Sequence, residues 1–161
     1  MKYIFLFVFI LTHSIFYSQV TDSFTDGDFT TNPVWAGTDS DFIVNGSMEL
    51  QLNSLAAGTS YLSTSHNLAD LNNKEWNFKV RQSFSPSSSN YGRVYLTASS
   101  ADLSSDPDGF YLQFGEAGSL DPVKFFKVES GVDTELMSGP SAQIATSFDI
   151  GVRVVRDNSG S

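Results

Sequence analysis

The sequence predicts an all-β fold, an antiparallel β-sandwich of the jelly-roll type, and two observations lead to this prediction. Beyond residue 40, apolar and polar residues alternate over short segments, as in strands with one buried and one solvated face. Turn-forming residues separate these segments at regular intervals, which is typical of sandwiches and jelly rolls. The one helix that we expect is a single turn near residues 68–72.

Residues 1–18 are predicted to be a secretory signal peptide that precedes the fold. Lys2 is followed by an apolar run over residues 3–11, which is shorter than the roughly 20 residues that a membrane span needs. Cleavage after Ser18 would leave Gln19 first, and the alternative is an uncleaved anchor that uses the stretch to Tyr17. We therefore expect a secreted or outer-surface protein whose mature chain has no transmembrane segment.

Five rows of alternating residues define the faces that the strands are expected to turn toward the core. In chain order these rows are Met48, Leu50 and Leu52; Trp76, Phe78, Val80 and Phe84; Val94, Leu96 and Ala98; Phe110, Leu112 and Phe114; and Phe148, Ile150, Val152 and Val154. The residues between them are mostly polar, so each strand would have one face in water.

Turn residues mark where these strands end. Asn45-Gly46 predicts a hairpin with a type I′ turn, because both residues tolerate positive φ. The other expected connections are a loop at 85–90, a Pro- and Gly-containing turn at 106–109, and a hairpin turn at 129–131. A further turn is expected at 157–161 with no strand after it, so the sequence predicts a domain over 19–161 that is truncated at its C-terminus.

Composition excludes several classes of function. The 161 residues suit one domain, with eighteen acidic residues against nine basic ones. Without Lys2 the mature chain has eight basic and eighteen acidic residues, a net charge of −10, and no basic cluster that nucleic acid would require. The absence of cysteine from the sequence excludes disulfides, thiolate metal sites and cysteine nucleophiles.

Several segments together resemble concanavalin A-like (laminin G/pentraxin-like) jelly rolls, as found in N-terminal regions of secreted Bacteroidetes surface proteins with lamin-tail domains. The resemblance covers nearly all of the mature chain, and it implies that residues 24–29 form an opening strand. The segments are Phe24-Thr25-Asp26-Gly27-Asp28-Phe29, Asn32-Pro33-Val34-Trp35-Ala36-Gly37, Glu75-Trp76-Asn77-Phe78, residues 84–91, Val94-Tyr95-Leu96, Gly109-Phe110-Tyr111 and residues 152–157.

The fold family includes glycosidases, but no catalytic residue is predicted. Glycoside hydrolysis needs two suitably spaced carboxylates, and the Glu-x-Asp-x-x-Glu strand of laminarinase-type relatives is missing from this sequence. All pairs of acidic residues two positions apart lie in expected loops. Glu75 is the only acidic residue expected on the strand that contains Trp76. His66 is the only histidine of the mature chain and is expected to be a solvated loop residue.

Calcium is the only cofactor that the sequence suggests. Ca²⁺ binds carboxylate and carbonyl oxygens, which Asp-rich loops supply. Asp22, Asp26 and Asp28 lie near the expected first strand, where relatives of this fold often hold a structural ion, and Asp106 with Asp108 forms a second candidate. Asp is also common in turns for its own hydrogen bonds, so both interpretations stay open.

Carbohydrate recognition is predicted to involve Tyr91, Tyr95 and Tyr111. Tyr95 and Tyr111 fall on the polar side of their strands, so two neighbouring strands would place both phenols on one open sheet face. Cross-strand aromatic pairs also stabilise sheets without any ligand. Trp35 is expected to fill the core near the first loop.

We therefore expect a non-catalytic secreted or surface module that binds glycans or cell-surface proteins. The alternatives are the N-terminal fragment of a secreted glycoside hydrolase and a purely structural spacer domain.

Overall fold

The computed structural model describes residues 20–68 and 70–158, and strands make up 41% of the structure. The expected signal peptide, residues 1–18, lies outside the described residues, as does the end of the turn expected at 157–161. All sheets are antiparallel, so the all-β prediction is confirmed.

Ten strands follow one another with hardly any helix between them. They are β1 (Ala36–Gly37), β2 (Phe42–Val44), β3 (Leu50–Leu52), β4 (Leu62–Ser63), β5 (Lys74–Gln82), β6 (Gly92–Ala98), β7 (Gly109–Phe114), β8 (Val123–Glu129), β9 (Val132–Ser138) and β10 (Phe148–Arg156). Two 3₁₀ turns, Asp39–Asp41 and Leu103–Ser105, are the helical segments of the described residues.

Strands β6 to β9 form a four-stranded meander in chain order. The β8–β9 hairpin turns at Ser130 and Gly131, with φ of 53° and 74°, so Glu129 pairs with Val132 as the turn residues predict. Both positive φ values match the right-handed twist of a tight hairpin. The connection from β6 to β7 is longer and includes Asp106 in the left-handed region, with φ of 47°.

Strands β5 and β10 form a second sheet from segments that lie far apart in the sequence. Nine residue pairs join them, from Lys74 opposite Arg156 to Gln82 opposite Phe148. Alternate residues of both strands are exposed, and the apolar residues between them pack against the four-stranded sheet. This arrangement follows from the period of two in both sequences.

The apolar core lies between these two sheets. Its most buried members are Leu112, Phe114, Ile144 and Phe148, and the rings of Phe114 and Phe148 stack at 6.1 Å. The inward residues of β5 and β10 and those of β6 and β8 pack around this cluster; they are Phe78, Val80, Ile150, Val152, Val154, Val94, Val123 and Phe125. The predicted core rows of β5, β6, β7 and β10 are therefore confirmed, apart from Phe84.

The β2–β3 hairpin exists, but its predicted turn type is wrong. Positive φ occurs at Met48, with φ of 58°, and at neither Asn45 nor Gly46. The Asn45 side chain accepts hydrogen bonds from the N–H groups of Ser47 and Glu49, which extends the loop to residues 45–49. An Asn that caps its own turn in this way starts a longer connection.

Other local expectations also fail where little packs against the segment. Met48, Leu52 and Phe84 are 47%, 57% and 55% exposed, so none of them belongs to the core row assigned to it. Residues 24–29 form turns instead of an opening strand. Residue 68 and residues 70–72 form no helix, and the chain reverses at Asn73 with φ of 51°.

Candidate functional site

The side of the four-stranded sheet that faces away from β5 and β10 carries an aromatic and charged cluster, which we call the outer face. Its side chains alternate along the strands with the core residues. Its members are Arg93 and Tyr95 of β6, Tyr111 and Gln113 of β7, Lys124 and Phe126 of β8, and Asp133 and Glu135 of β9, together with Tyr91, Asp106 and Glu116, which interact with Arg93 or Lys124.

Three aromatic rings form a row across β6, β7 and β8. Tyr95 pairs with Tyr111, and Tyr111 pairs with Phe126, in directly opposed positions. The ring centroids of Tyr95 and Tyr111 lie 5.1 Å apart, and those of Tyr111 and Phe126 also lie 5.1 Å apart. Aromatic pairs at such distances stabilise neighbouring strands beyond their burial.

Arg93 lies at the centre of the outer face. Its guanidinium carbon is 4.5 Å from the centroid of the Tyr111 ring and 5.5 Å from that of Tyr91, which are cation–π distances. One terminal nitrogen is 3.0 Å from Asp106, and the other is 3.7 Å from Asp133. The Nε–H group donates to Gln113 Oε1 at 3.2 Å, so Arg93 joins three strands and the turn before β7.

The second cation of the outer face is also shared between acids. Lys124 Nζ lies 2.6 Å from Glu116 and 3.3 Å from Glu135. Hydrogen bonds to these two carboxylates raise the pKa of Lys124, with the bond to Glu116 contributing most. Arg93 and Lys124 are thus each paired with two carboxylates, and the charge of this surface is negative.

Two hydroxyl groups of the row are buried without a hydrogen bond of ordinary geometry. They belong to Tyr95 and Tyr111, and Tyr111 as a whole is fully buried. Burial raises the pKa of both phenols, and the nearby Asp133 carboxylate acts in the same direction. A buried hydroxyl without a partner lowers stability, and such groups are often found where a ligand or water completes the bonding.

The structure brings the three predicted tyrosines together but exposes them unequally. Tyr95 and Tyr111 do lie on neighbouring strands, and Arg93 joins Tyr91 to them. Tyr91 is 47% exposed, Tyr95 is half-buried, and Tyr111 is covered by Tyr95, Phe126 and Arg93. The open sheet face expected at Tyr111 is therefore wrong, because its neighbours on the sheet cover its ring.

Sequence reasoning missed Arg93 as a member of this site. The available signal was its spacing of two from Tyr95, which places both side chains on one face of a strand. Asp133 was missed because it lies on β9, and only the order of strands β6 to β9 in the sheet brings it close to Arg93.

The first calcium candidate is a series of local turns. Asp22 accepts from the N–H of Phe24 and from the indole of Trp35, the latter at 2.9 Å. Asp28 accepts from the hydroxyl of Thr31 and from the N–H and hydroxyl of Thr30, and these bonds lower the pKa of Asp28 well below the usual range, with Thr31 contributing most. No group of three or more acidic or histidine side chains converges within the described residues. Calcium stays a prediction.

The hydrogen bond from its indole to Asp22 positions Trp35 beside the first turns. Its ring lies 6.2 Å from that of Phe24, half-buried beside the first turns, away from the main core cluster.

Asp106 and Asp108, the second candidate pair for calcium, interact with different partners. Asp106 pairs with Arg93, while Asp108 accepts the N–H of Ser130 at 2.7 Å and ties the turn before β7 to the β8–β9 turn. These contacts are those of turn carboxylates.

Glu75 and His66, the two other residues considered for catalysis, each form hydrogen bonds within the fold. Glu75 accepts from Arg153 at 2.7 Å and from Asn77 at 2.6 Å, and these bonds lower the pKa of Glu75, with Arg153 contributing most. A general acid for glycoside cleavage requires the opposite shift. His66 is exposed in a loop, as expected, and its Nδ1 accepts the N–H of Leu68.

Comparisons with known proteins name no relative: no family model, no curated protein and no solved structure matches this chain. In the described part of the chain, no helix has the length and apolar character needed to cross a membrane.

Proposed function

We propose that this chain is a non-catalytic binding module whose outer face recognises neutral carbohydrate. The single observation behind the proposal is the contact between Tyr91 and Arg93, in which an exposed aromatic ring borders a guanidinium with more N–H donors than acceptors in contact with it. Sugar rings pack their C–H faces on aromatic rings, and their hydroxyls need donors and acceptors nearby.

Tyr91 supplies the platform in this proposal. It is the most exposed aromatic residue of the cluster, and Arg93 holds its ring from one side. Arg93 has five N–H donors, of which one donates to Gln113 and one to Asp106, while the other terminal nitrogen lies 3.7 Å from Asp133. The remaining donors and the outer oxygens of the carboxylates are suited to sugar hydroxyls, while the hydroxyl of Tyr95 is buried.

The charges of the outer face favour a neutral sugar over an acidic one. Arg93 and Lys124 are each neutralised by two carboxylates, so neither is a free cation that a uronate could bind. The whole chain has a net charge of −9, which repels polyanions at low salt.

We also propose that the chain is a concanavalin A-like jelly roll of a secreted or outer-surface protein. The supports are the sequence resemblance, the apolar N-terminal segment, and the packing of β5 and β10 on the four-stranded sheet. A structural calcium ion at Asp22, Asp26 and Asp28 is the only cofactor included, and a chelator should then lower the melting temperature.

Affinity electrophoresis tests the function directly. The protein is run through gels that contain neutral polysaccharides (a β-glucan, a xylan, a mannan) or acidic ones (alginate, polygalacturonate). We expect retardation by at least one neutral polymer, loss of retardation for Tyr91→Ala, and retention for Tyr91→Phe, which keeps the ring. Leu52→Ala, at an exposed site on β3, is the control for a general surface effect.

Migration that no polysaccharide alters would contradict the binding function and favour the structural spacer. Retardation that Tyr91→Ala leaves unchanged would move the site away from the outer face. Release of reducing sugar during incubation would instead favour the fragment of a glycoside hydrolase.

A further inference from the structure

Two Asp–Pro bonds lie in loops of this chain, and their aspartates have different surroundings. They are Asp106–Pro107, before β7, and Asp121–Pro122, before β8. Both aspartates have a left-handed backbone, with φ of 47° and 35°, which is unfavourable for a residue that precedes proline. Backbone strain is therefore common to the two bonds, and the environment of the carboxyl group distinguishes them.

The carboxyl group of Asp121 is buried and has an unpaired oxygen. Asp121 is 3% exposed, and its Oδ1 has no hydrogen-bond partner among residues 20–68 and 70–158. The Asp106 carboxylate is instead 62% exposed and lies 3.0 Å from the guanidinium of Arg93. A carboxyl oxygen that contacts neither water nor a cation is costly to bury, and it is a more reactive nucleophile than a paired one.

The main-chain carbonyl group of Asp121 is polarised by a hydrogen bond from the loop after β9. The N–H of the buried Ile144 donates to this oxygen at 3.1 Å. The N–H of Ala142 donates to the carbonyl of Leu120, so the loop is held beside Asp121 at two points. A fixed N–H donor at a carbonyl oxygen stabilises the negative charge that develops there when a nucleophile attacks.

The Asp121–Pro122 bond thus has a nucleophile, a polarised carbonyl and a suitable leaving group next to one another. The carboxyl oxygen and the carbonyl carbon belong to the same residue, so their reaction needs no encounter between molecules. The nitrogen of an X–Pro bond is a tertiary amide, which accepts a proton more readily than the nitrogen of an ordinary peptide bond.

From these observations we propose that the chain cleaves its own backbone between Asp121 and Pro122. A carboxyl oxygen of Asp121 forms a bond to the main-chain carbonyl carbon of the same residue and gives a cyclic anhydride. The bond from that carbon to the Pro122 nitrogen breaks, its electron pair stays on the nitrogen, and the nitrogen takes the proton of the carboxyl group. Water then opens the anhydride, so the net reaction is hydrolysis of one peptide bond, with nothing oxidised or reduced.

Both products should remain together in the folded protein. The cut lies in the connection between β7 and β8, and these strands are held by six residue pairs of their own. Nine further pairs join β10, in the second product, to β5, in the first. Cleavage would therefore give a domain of two pieces, whose unfolding depends on protein concentration.

Intact-mass spectrometry of the folded wild-type protein, incubated at neutral pH and sampled over days, tests the proposal. We expect two products, one that ends at Asp121 and one that begins at Pro122, whose masses sum to that of the chain plus one water. The Asp106–Pro107 bond of the same molecules is the matched control. The cut at Asp121 should be at least about tenfold faster, because one fixed N–H donor to a developing oxyanion contributes about that much or more.

The same measurement in urea removes both environments. The two bonds should then be cut at similar rates, because the unfolded chain retains neither the burial of Asp121 nor the hydrogen bond from Ile144. This comparison needs no variant, so it tests the proposal even if a substitution prevents folding.

Three substitutions distinguish self-cleavage from the action of a contaminating protease. Asp121→Ala removes the nucleophile and should abolish the cut. Pro122→Ala keeps the carboxyl group and should slow the cut, because the nitrogen of an ordinary peptide bond is a poorer leaving group. Leu120→Ala, at an exposed neighbouring side chain, should leave the rate unchanged.

A folded chain in which Asp121–Pro122 is cut no faster than Asp106–Pro107 would overturn the proposal, and a chain that stays intact is included. Cleavage that persists in Asp121→Ala would overturn it as well, since the nucleophile would then come from elsewhere. A ratio of the two rates that is the same in buffer and in urea would show that the fold contributes nothing.

Discussion

Removing the hydroxyl of Tyr111 is expected to stabilise the protein. Tyr111→Phe keeps the ring that packs on Tyr95, Phe126 and Arg93, and it deletes a fully buried oxygen that has no hydrogen bond of ordinary geometry. An unpaired buried polar group costs about 1–3 kcal/mol, so the free energy of unfolding should rise by about 1 kcal/mol or more. For a domain of this size, that gain corresponds to about 4 °C in melting temperature per kcal/mol.

Urea denaturation followed by tryptophan fluorescence measures this change, because Trp76 lies in the packed region between the sheets. The midpoint should rise while the m-value stays constant. Tyr91→Phe is the matched control, because Tyr91 is 47% exposed and removal of its hydroxyl should bring no gain. A loss of about 1 kcal/mol or more for Tyr111→Phe would refute the reasoning, since it would mean that this hydroxyl has a good partner.

Three further changes follow from the packing and the turns. Phe114→Ala removes a fully buried ring from the core and should lower the free energy of unfolding by about 3–5 kcal/mol in the same denaturation assay; a loss under about 1 kcal/mol would argue against a core at this position. Gly109→Ala should lower the melting temperature, because its Cβ would meet the carbonyl oxygen of Thr97 on β6, whereas an unchanged temperature would argue against this close approach. Asp28→Asn should destabilise the protein at pH 7, because hydrogen bonds from Thr31 and Thr30 lower the pKa of Asp28 in the folded state. That stability is present above the unfolded pKa of about 3.9 and is lost as pH falls through the lower folded pKa. The difference from wild type should therefore shrink below about pH 4, and a constant difference across pH would contradict the role of the charge.

The strands that face the core could be predicted from the sequence because burial on one face imposes a period of two. The rows that contain Phe78, Leu112 and Ile150 follow this rule, since each packs against the opposite sheet along its length. The prediction is wrong at Leu52, which lies in a short hairpin outside that packing. Because no opposite sheet covers this hairpin residue, its place in the alternating pattern does not lead to burial.

The candidate site was predictable only in part. The pairing of Tyr95 with Tyr111 follows from alternation once the two strands are neighbours. The burial of Tyr111 depends on Phe126 and Arg93, which come from strand order and register, and local sequence contains neither. A cluster of side chains from several strands therefore cannot be predicted from the alternation within any one strand. It requires the strand order and register of the folded sheet.

Backbone amide NMR during a titration with the polysaccharide that retards the protein most would locate the bound sugar on the surface. We expect the largest shift changes at residues 91–95 and 111–113, with little change in β10 or in residues 22–31. Changes centred elsewhere, or none at a saturating sugar concentration, would contradict the assignment of sugar recognition to this face.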